Sequence, residues 1–201
     1  MEAPVTAIIL LVAVVVIGVA AFGLTSAVVG YQQSLVQQQH EADQLSAEVE
    51  LLAGPLIHDG NGYNGYNITV LPYFFSQQYP STVYLIVGTT NLSPSALPFL
   101  DPSQISPFSQ VYQNGKSITN DQSAYKLLSS IYTVSGHQLN SGPIKAYVDS
   151  PSSPISQGIP ITFQFNSIGK FVVIWVVAQL GSNYYMIGSY AESNSTLIQV
   201  S

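Results

Sequence analysis

This chain of 201 residues has no cysteine, no arginine and few charged residues of either sign. The absence of cysteine excludes disulfides and thiolate metal sites. Charged side chains make up 7% of the chain, against roughly 25% in an average soluble protein. The four basic residues are lysines in the second half, and the formal net charge is −6. These scarcities argue against nucleic-acid binding, because lysine and arginine neutralise the phosphates.

The N-terminal part is an uncharged apolar run. Residues 7–24 contain no charged side chain, and a helix of that length spans roughly 27 Å, close to the hydrocarbon thickness of a bilayer. The run is apolar on every face, so lipid or equally apolar helices must cover it. Pro4 lies where a first helical turn tolerates proline, and the next stop signal is Gly54-Pro55. The sequence therefore predicts one helix to about residue 53, with residues 5–30 apolar.

Residues 31–53 continue this helix as an amphipathic segment. Apolar residues recur at intervals of seven, with two leucines on the same side: Val28, Leu35, Ala42, Val49, Leu45 and Leu52. The opposite side carries polar residues: Gln33, Gln37, His40, Glu41, Gln44 and Glu48. The pattern predicts one solvated face and one face that packs against a head formed by residues 54–201.

No basic residue precedes Lys116. A membrane anchor usually has lysine or arginine beside its cytoplasmic end, and a cleavable signal peptide would not run on as a long helix. We expect this absence if a basic leader has been removed, which leaves open whether Met1 is the processed terminus or the initiator.

The remainder of the chain is predicted to be β-sheet. Runs rich in β-branched and aromatic residues lie between Pro, Gly, Asn and Ser clusters, at residues 67–75, 82–87, 144–148, 160–165, 171–179, 184–191 and 197–200. Residues 171–178 are apolar on both faces, which predicts a central strand covered on both sides. Residues 93–107 hold four prolines and are predicted to form an irregular loop, whereas residues 123–135 are compatible with helix or strand. The expected fold class is α+β: one long N-terminal hydrophobic helix followed by an all-β, immunoglobulin-like sandwich head.

The sequence contains no pattern that predicts catalysis, a metal or a cofactor. Residues 60–65 match G-x-G-x-x-G, but a helix precedes and a strand follows, the reverse of a dinucleotide site. Their two Asn-Gly pairs predict tight turns. The histidines His40, His58 and His137 share no metal-ligand spacing, with His58-Asp59 predicted to open a loop. The Gly-x-Ser-x-Gly motif of serine hydrolases is absent, so the chain is not predicted to be an enzyme.

Three sequons identify candidate N-glycosylation sites. They are Asn67-Ile-Thr, Asn91-Leu-Ser and Asn194-Ser-Thr, and modification would require each asparagine to lie on an exported surface. A chain rich in serine and threonine also produces such triplets by chance.

The run Ala7-Ile-Ile-Leu-Leu-Val-Ala-Val-Val-Val-Ile-Gly18, followed by an amphipathic half and a β-rich part, resembles the type IV pilin superfamily. The β-only head makes it more similar to archaeal adhesive pilins than to bacterial pilins. The resemblance covers residues 1–53. It implies an extracellular, adhesive filament made of copies of this chain, which is embedded in the membrane before assembly. It also implies export through an assembly platform with a cytoplasmic ATPase, and leader removal by a prepilin peptidase.

The resemblance implies that apolar helix residues form the polymerisation surface: Ala7, Ile8, Ile9, Leu10, Leu11, Val14, Ile17, Ala21 and Leu24. Bacterial members usually carry an acidic residue where this chain has Val5. Here Glu2 is the only early carboxylate, so it is the candidate for pairing with a neighbour's terminal amine.

Three other interpretations stay open. Archaella share the same plan of helix and head. A monomeric, single-span anchor for a solute- or sugar-binding module would also need an apolar helix. An exported hydrolase on a β scaffold is the third, although no spacing of polar residues in the sequence indicates a catalytic cleft.

Overall fold

The computed structural model describes residues 3–59, 65–75, 82–92, 105–148, 159–196 and 198–200. It divides into two compact units, Met1–Gln38 and Gln39–Ser201. Helix α1 spans Ala3–Glu48, and its last ten residues belong to the second unit. The predicted fold class, a long apolar helix followed by a β-rich head of two sheets, is confirmed.

Fourteen strands follow the helix within the described residues. They are β1 (Val49–Ala53), β2 (Ile57–Asp59), β3 (Gly65–Phe74), β4 (Val83–Thr90), β5 (Ser106–Pro107), β6 (Gln110–Gln113), β7 (Lys116–Ser117), β8 (Tyr125–Leu128), β9 (Ile131–Thr133), β10 (Ile144–Val148), β11 (Ile161–Phe165), β12 (Phe171–Leu180), β13 (Asn183–Ser193) and β14 (Ile198–Val200). A 3-10 turn, Asn194–Thr196, lies between β13 and β14.

The first unit consists of helical residues from Ala3 onward. Its apolar run is rich in valine and isoleucine, which are only moderate helix formers in water. An apolar environment favours the helix nonetheless, because every backbone polar group must then be satisfied within the segment. A Cβ built on Gly18, Gly23 or Gly30 meets nothing within 4 Å. Packing within the chain therefore does not require these glycines.

The predicted helix is five residues too long. It ends at Glu48, and residues 49–53 form β1, which pairs antiparallel with β3 from Val49↔Phe74 to Ala53↔Val70. The seven-residue pattern placed Leu52 on the packed side, but side chains alternate along a strand, and Leu52 is exposed. Sheet pairing at this point outweighs the local helical periodicity.

Sheet A has the order β14-β2-β3-β11-β6-β7, with β1 also along β3. The N–H of Phe75 donates to the Glu48 carbonyl and that of Gly54 donates to the Thr69 carbonyl. Odd-numbered residues of β3 therefore direct their backbone polar groups towards β1. Pro72 is even-numbered, so its nitrogen, which carries no hydrogen, points away from β1 and towards the β11 side of the strand. The pairing with β11 ends at Val70 and does not reach Pro72. The proline thus costs the sheet no hydrogen bond.

Sheet B has the order β8-β10-β4-β12-β13-β9, with β5 also along β4. Strand β12 is buried at nearly every position, as predicted, because one core lies between the sheets and a second covers the other face of sheet B. The first includes Ile68, Phe163, Leu85, Val87 and Ile174. The second includes Ile86, Leu128, Ile131, Val173 and Trp175.

The end of α1 is held by apolar packing within the second unit. Ala42 and Leu45 are buried in the core between the sheets, as the amphipathic pattern predicted. The Gln39 side chain lies so close to Gly136, at φ +85°, that a Cβ there would be 2.3 Å from its amide nitrogen. No basic residue lies in the last helical turn, so burial stabilises this end without help from the helix dipole.

The other strand predictions are confirmed with shifted ends. Residues 123–135, left open between helix and strand, contain β8 and β9. Residues 60–64 of the glycine motif lie outside the described residues, and Gly65 begins β3. Most of the proline-rich segment, residues 93–104, also lies outside them, and its end at residues 106–107 forms β5 rather than irregular loop.

Asn140 is one of the few buried polar side chains of the described head. Its Oδ1 accepts from the Ile131 N–H at 2.7 Å. Its Nδ2 lies within hydrogen-bond distance of three carbonyls: Leu128 at 3.3 Å, Ser129 at 3.1 Å and Gly142 at 2.7 Å. One amide therefore satisfies backbone groups at the end of β8, at the start of β9 and in the loops on either side of β9.

Candidate functional site

The apolar helix residues of the first unit are exposed on every face. Each residue expected to form the polymerisation surface is solvent-exposed in the isolated chain: Ala7, Ile8, Ile9, Leu10, Leu11, Val14, Ile17, Ala21 and Leu24. Ile8 and Ile17 are nine residues apart and so point to opposite sides of the helix, yet they are 64% and 67% exposed. The helix therefore has no packed side along this run.

The free energy at stake in this exposure is large. Twelve large apolar residues from Ile8 to Leu24 are exposed, and each forgoes about 1.5–3 kcal/mol by remaining in water. Even the lower figure sums to roughly 20 kcal/mol, more than the whole folding stability of an ordinary domain. This segment must be covered by lipid or protein in any functional state.

The helix is also uncharged far beyond the apolar run. No Asp, Glu, Lys or Arg occurs between Glu2 and Glu41, and the polar residues nearest the head are glutamines. One helix in the described part of the chain is long and apolar enough to cross a membrane. Glu2, the predicted partner of a terminal amine, lies outside the described residues.

Two of the three candidate glycosylation asparagines hold the same turn. Asn91 Oδ1 accepts from the Lys170 N–H at 3.1 Å, and Asn194 Nδ2 donates to the Gly169 carbonyl at 3.2 Å. A Cβ at Gly169 would lie 2.6 Å from the Thr90 carbonyl oxygen, so only glycine fits this close approach. Both asparagines are exposed, and each has a structural role that is independent of any glycan.

Asn67 lies on the outer face of sheet A. It is the third residue of β3 and lies between Ile57 on β2 and Gln164 on β11. The alternation along β3 places Asn67 on the same side as exposed Thr69, away from the core. Of the three sequons it is the one within a paired strand, half-buried by its neighbours.

The predicted absence of a metal site and of catalysis stays a prediction. No group of three histidine, aspartate or glutamate side chains in the described residues could hold a metal ion. His40 and His137 are exposed. The prediction that His58 opens a loop was wrong, because His58 lies in β2 with its ring centroid 4.7 Å from that of Tyr66.

The head also contains a partly buried cluster of a lysine and aromatic rings that the sequence did not indicate. Lys145 Nζ lies 3.8 Å from the centroid of Tyr125 and donates to the Thr119 carbonyl at 2.7 Å. The hydroxyl of buried Tyr147 donates to the same carbonyl at 3.0 Å. Desolvation lowers the pKa of Lys145, and burial raises the pKa of Tyr147 to about 12. The shared carbonyl makes this cluster a structural clamp between β10 and the turn after β7.

We expect Tyr147→Phe to reduce the loss of head stability in alkali. Between the ordinary tyrosine pKa of 10.0 and about 12, the unfolded chain releases a proton that folded Tyr147 keeps, so stability falls as pH rises through this window. At neutral pH the free energy of unfolding of the variant should be lower by about 1 kcal/mol, because the hydrogen bond from Tyr147 to the Thr119 carbonyl is lost. Urea unfolding at several pH values would measure both effects.

Part of the alkaline slope should remain in that variant, because burial also raises the pKa of Tyr190 to about 12. Equal slopes in the wild type and in Tyr147→Phe would contradict the assignment.

Sequence reasoning missed an exposed apolar patch on sheet A. Leu52 lies opposite Leu71, and Tyr73 and Phe75 follow on the same side of the sheet, their rings 5.4 Å apart. Leu52 is 47% and Phe75 66% exposed. Residues 70–75 are almost all apolar, so no polar alternation in the sequence indicates which side faces outward.

No protein-family model matches this chain, and no curated protein matches it. Among solved structures, the human F-spondin reeler domain has 11% identity and a TM-score of 0.38, covering 73% of this chain and 88% of that domain. A conjugative transposon lipoprotein from Bacteroides eggerthii has 8% identity and a TM-score of 0.30, covering 73% of this chain and 98% of that one.

The N-terminal domain of the Streptococcus gordonii adhesin Sgo0707 has 12% identity and a TM-score of 0.31, covering 74% of this chain and 33% of the adhesin chain. Likenesses at these scores are too weak to support a conclusion about function.

Proposed function

We propose that this chain is the structural subunit of an extracellular, type IV pilus-like filament, assembled by packing of its N-terminal helices. The observation that carries the proposal is the exposure of the apolar helix on all sides. A single membrane span also needs an apolar surface, but lipid does not require the helix to continue as an amphipathic segment, with no Asp, Glu, Lys or Arg before Glu41, into a folded head.

Sister helices suit this surface in size and chemistry. Residues 3–38 carry no charge, so neighbouring copies meet without repulsion or the desolvation of ions. Gly18, Gly23 and Gly30 leave open space beside the helix, and small residues of this kind allow close helix–helix approach. Lipid covers the helix before assembly, and other copies replace lipid when the subunit leaves the membrane.

The resemblance to archaeal adhesive pilins supplies the rest of the proposal. It adds adhesion to surfaces or glycans as the role of the filament, an assembly platform and a prepilin peptidase as partners during export, and glycans at Asn67, Asn91 or Asn194. The adhesive role, the export partners and the glycans rest on this resemblance and not on the uncharged helix.

Electron microscopy of material sheared from cells that express the chain tests the proposal. We expect filaments whose main band has the mass of this polypeptide, and mass spectrometry of the intact subunit would measure any glycan. A chain found only as a detergent-extracted monomer, with no filaments in the sheared fraction, would favour the anchored-receptor alternative. A mass equal to that of the bare polypeptide would exclude glycosylation without affecting the filament.

A further inference from the structure

The exposed apolar patch on sheet A adjoins the end of the helix. It consists of the exposed Leu52 and Phe75 and the half-buried Leu71 and Tyr73, and we call it the β3 patch. The backbone N–H of Phe75 donates to the carbonyl of Glu48, the last helical residue. Exposed aromatic and leucine side chains grouped on one face typically mark an interaction surface.

A second unpaired apolar surface lies on the helix between the apolar run and the head. Val29 and Val36 are seven residues apart, and so share one side of the helix. They are exposed and lie among glutamines that are also exposed: Gln32, Gln33 and Gln37. We call this surface the valine–glutamine stripe.

We propose that the β3 patch packs against the valine–glutamine stripe of a second copy of the chain. The inference rests on the proposed filament and adds a contact between a head and a neighbour's helix. The contact is heterologous, since two different surfaces of the same chain meet, and heterologous contacts that do not close into a ring generate open helical polymers.

The chemistry of the two surfaces matches. The stripe is uncharged, and two acidic residues adjoin the patch: Glu50, opposite Tyr73, and Glu48, whose carbonyl accepts from the Phe75 N–H. Aliphatic and aromatic side chains of the patch can cover the valines, while the Tyr73 hydroxyl and the glutamine amides can bond across the rim. Residues 7–24 are wholly apolar and offer no hydrogen-bond partner to the polar groups at the rim of the patch. Before assembly, lipid covers these residues and separates them from the heads of other copies. The stripe is therefore the helix surface that suits a neighbour's head.

The absence of cysteine from the chain permits a direct test. Phe75→Cys and Val36→Cys are introduced singly, the two variants are co-assembled into mixed filaments, and a mild oxidant is added. We expect a disulfide-linked dimer in the mixed filaments and none in filaments of either variant alone. Because each chain has one cysteine, a crosslink within a chain cannot form.

Leu127→Cys mixed with Val36→Cys is the matched control, since Leu127 is 60% exposed on β8 of the other sheet and should give no dimer. Dimers of Phe75→Cys alone would show that patches pair with each other and would overturn the proposal. So would mixed filaments without dimers.

If Phe75→Cys prevents assembly while Leu127→Cys does not, a small fraction of Phe75→Cys chains is mixed with Val36→Cys chains and an excess of wild-type chains. This mixture restores the test, and the same disulfide-linked dimer is expected. A wild-type chain that forms no filaments would instead refute the proposed function.

Discussion

Replacing Val14 with lysine should abolish filament assembly while the β head remains folded. Val14 lies in the middle of the apolar run and is 60% exposed in the isolated chain, so in a filament only sister helices could cover it. A lysine at the centre of a membrane-spanning helix costs about 2.5–3.5 kcal/mol, and a polymer repeats that cost in every subunit. Electron microscopy and quantification of the sheared fraction would measure the loss.

Gln44→Lys is the matched control, because it adds the same charge to an exposed position of the helix that lies outside both the apolar run and the valine–glutamine stripe. Val14→Leu tests whether side-chain shape alone matters. Membrane fractionation and protease treatment of whole cells should show that the lysine variant is still inserted and that its head is exposed. Normal filaments from Val14→Lys would mean that the helices do not form the spine of the polymer, and the anchored receptor would become the better interpretation.

Substitution of Asn140 should strongly destabilise the head. Asn140→Ala removes the partner of the Ile131 N–H and of the Leu128, Ser129 and Gly142 carbonyls. An unsatisfied buried polar group costs about 1–3 kcal/mol, so we expect a loss of about 3–4 kcal/mol. Chemical denaturation would measure it, with Asn120→Ala, at an exposed position, as the control that changes little.

Asn140→Asp sharpens this test, because it preserves shape and adds a charge. The carboxylate would face three carbonyl oxygens, so burial and repulsion should raise its pKa above the usual value of about 3.9. The unfolded chain then releases the proton first, and the variant loses stability as pH rises above about 4. A destabilisation that is the same at low and neutral pH would show that Asn140 is not held as described.

Patterns within a single segment predicted much of the fold. The apolar run and the burial of Ala42 and Leu45 follow from helical periodicity, and the coverage of β12 on both faces follows from its unbroken apolar sequence. The end of the helix could not be predicted in this way. Residues 49–53 continue a helical pattern, and their pairing with β3 is decided by residues about twenty positions away.

The candidate interaction surfaces divide along the same line. The apolar helix was predicted, because the composition of the run alone makes it apolar on every face. The β3 patch was not, because an apolar segment becomes an outward surface only when the register with β1 and the position of the core are known. Asn140 resembles any other loop asparagine in the sequence, and the carbonyls that it bonds come from the end of β8 and from two separate loops.

The direct passage from α1 into β1 has a mechanical consequence for a filament subunit. The last helical residue is Glu48 and the first strand residue is Val49. A tensile force on the helix would therefore be transmitted directly to the head, because no loop separates the two elements. It would act on β1, which is paired with β3 over five residues, and then on β11 and β6 in the same sheet. Tension would act on several backbone hydrogen bonds at the same time. Since these bonds would have to break before the hydrophobic core is exposed, the head should resist mechanical unfolding.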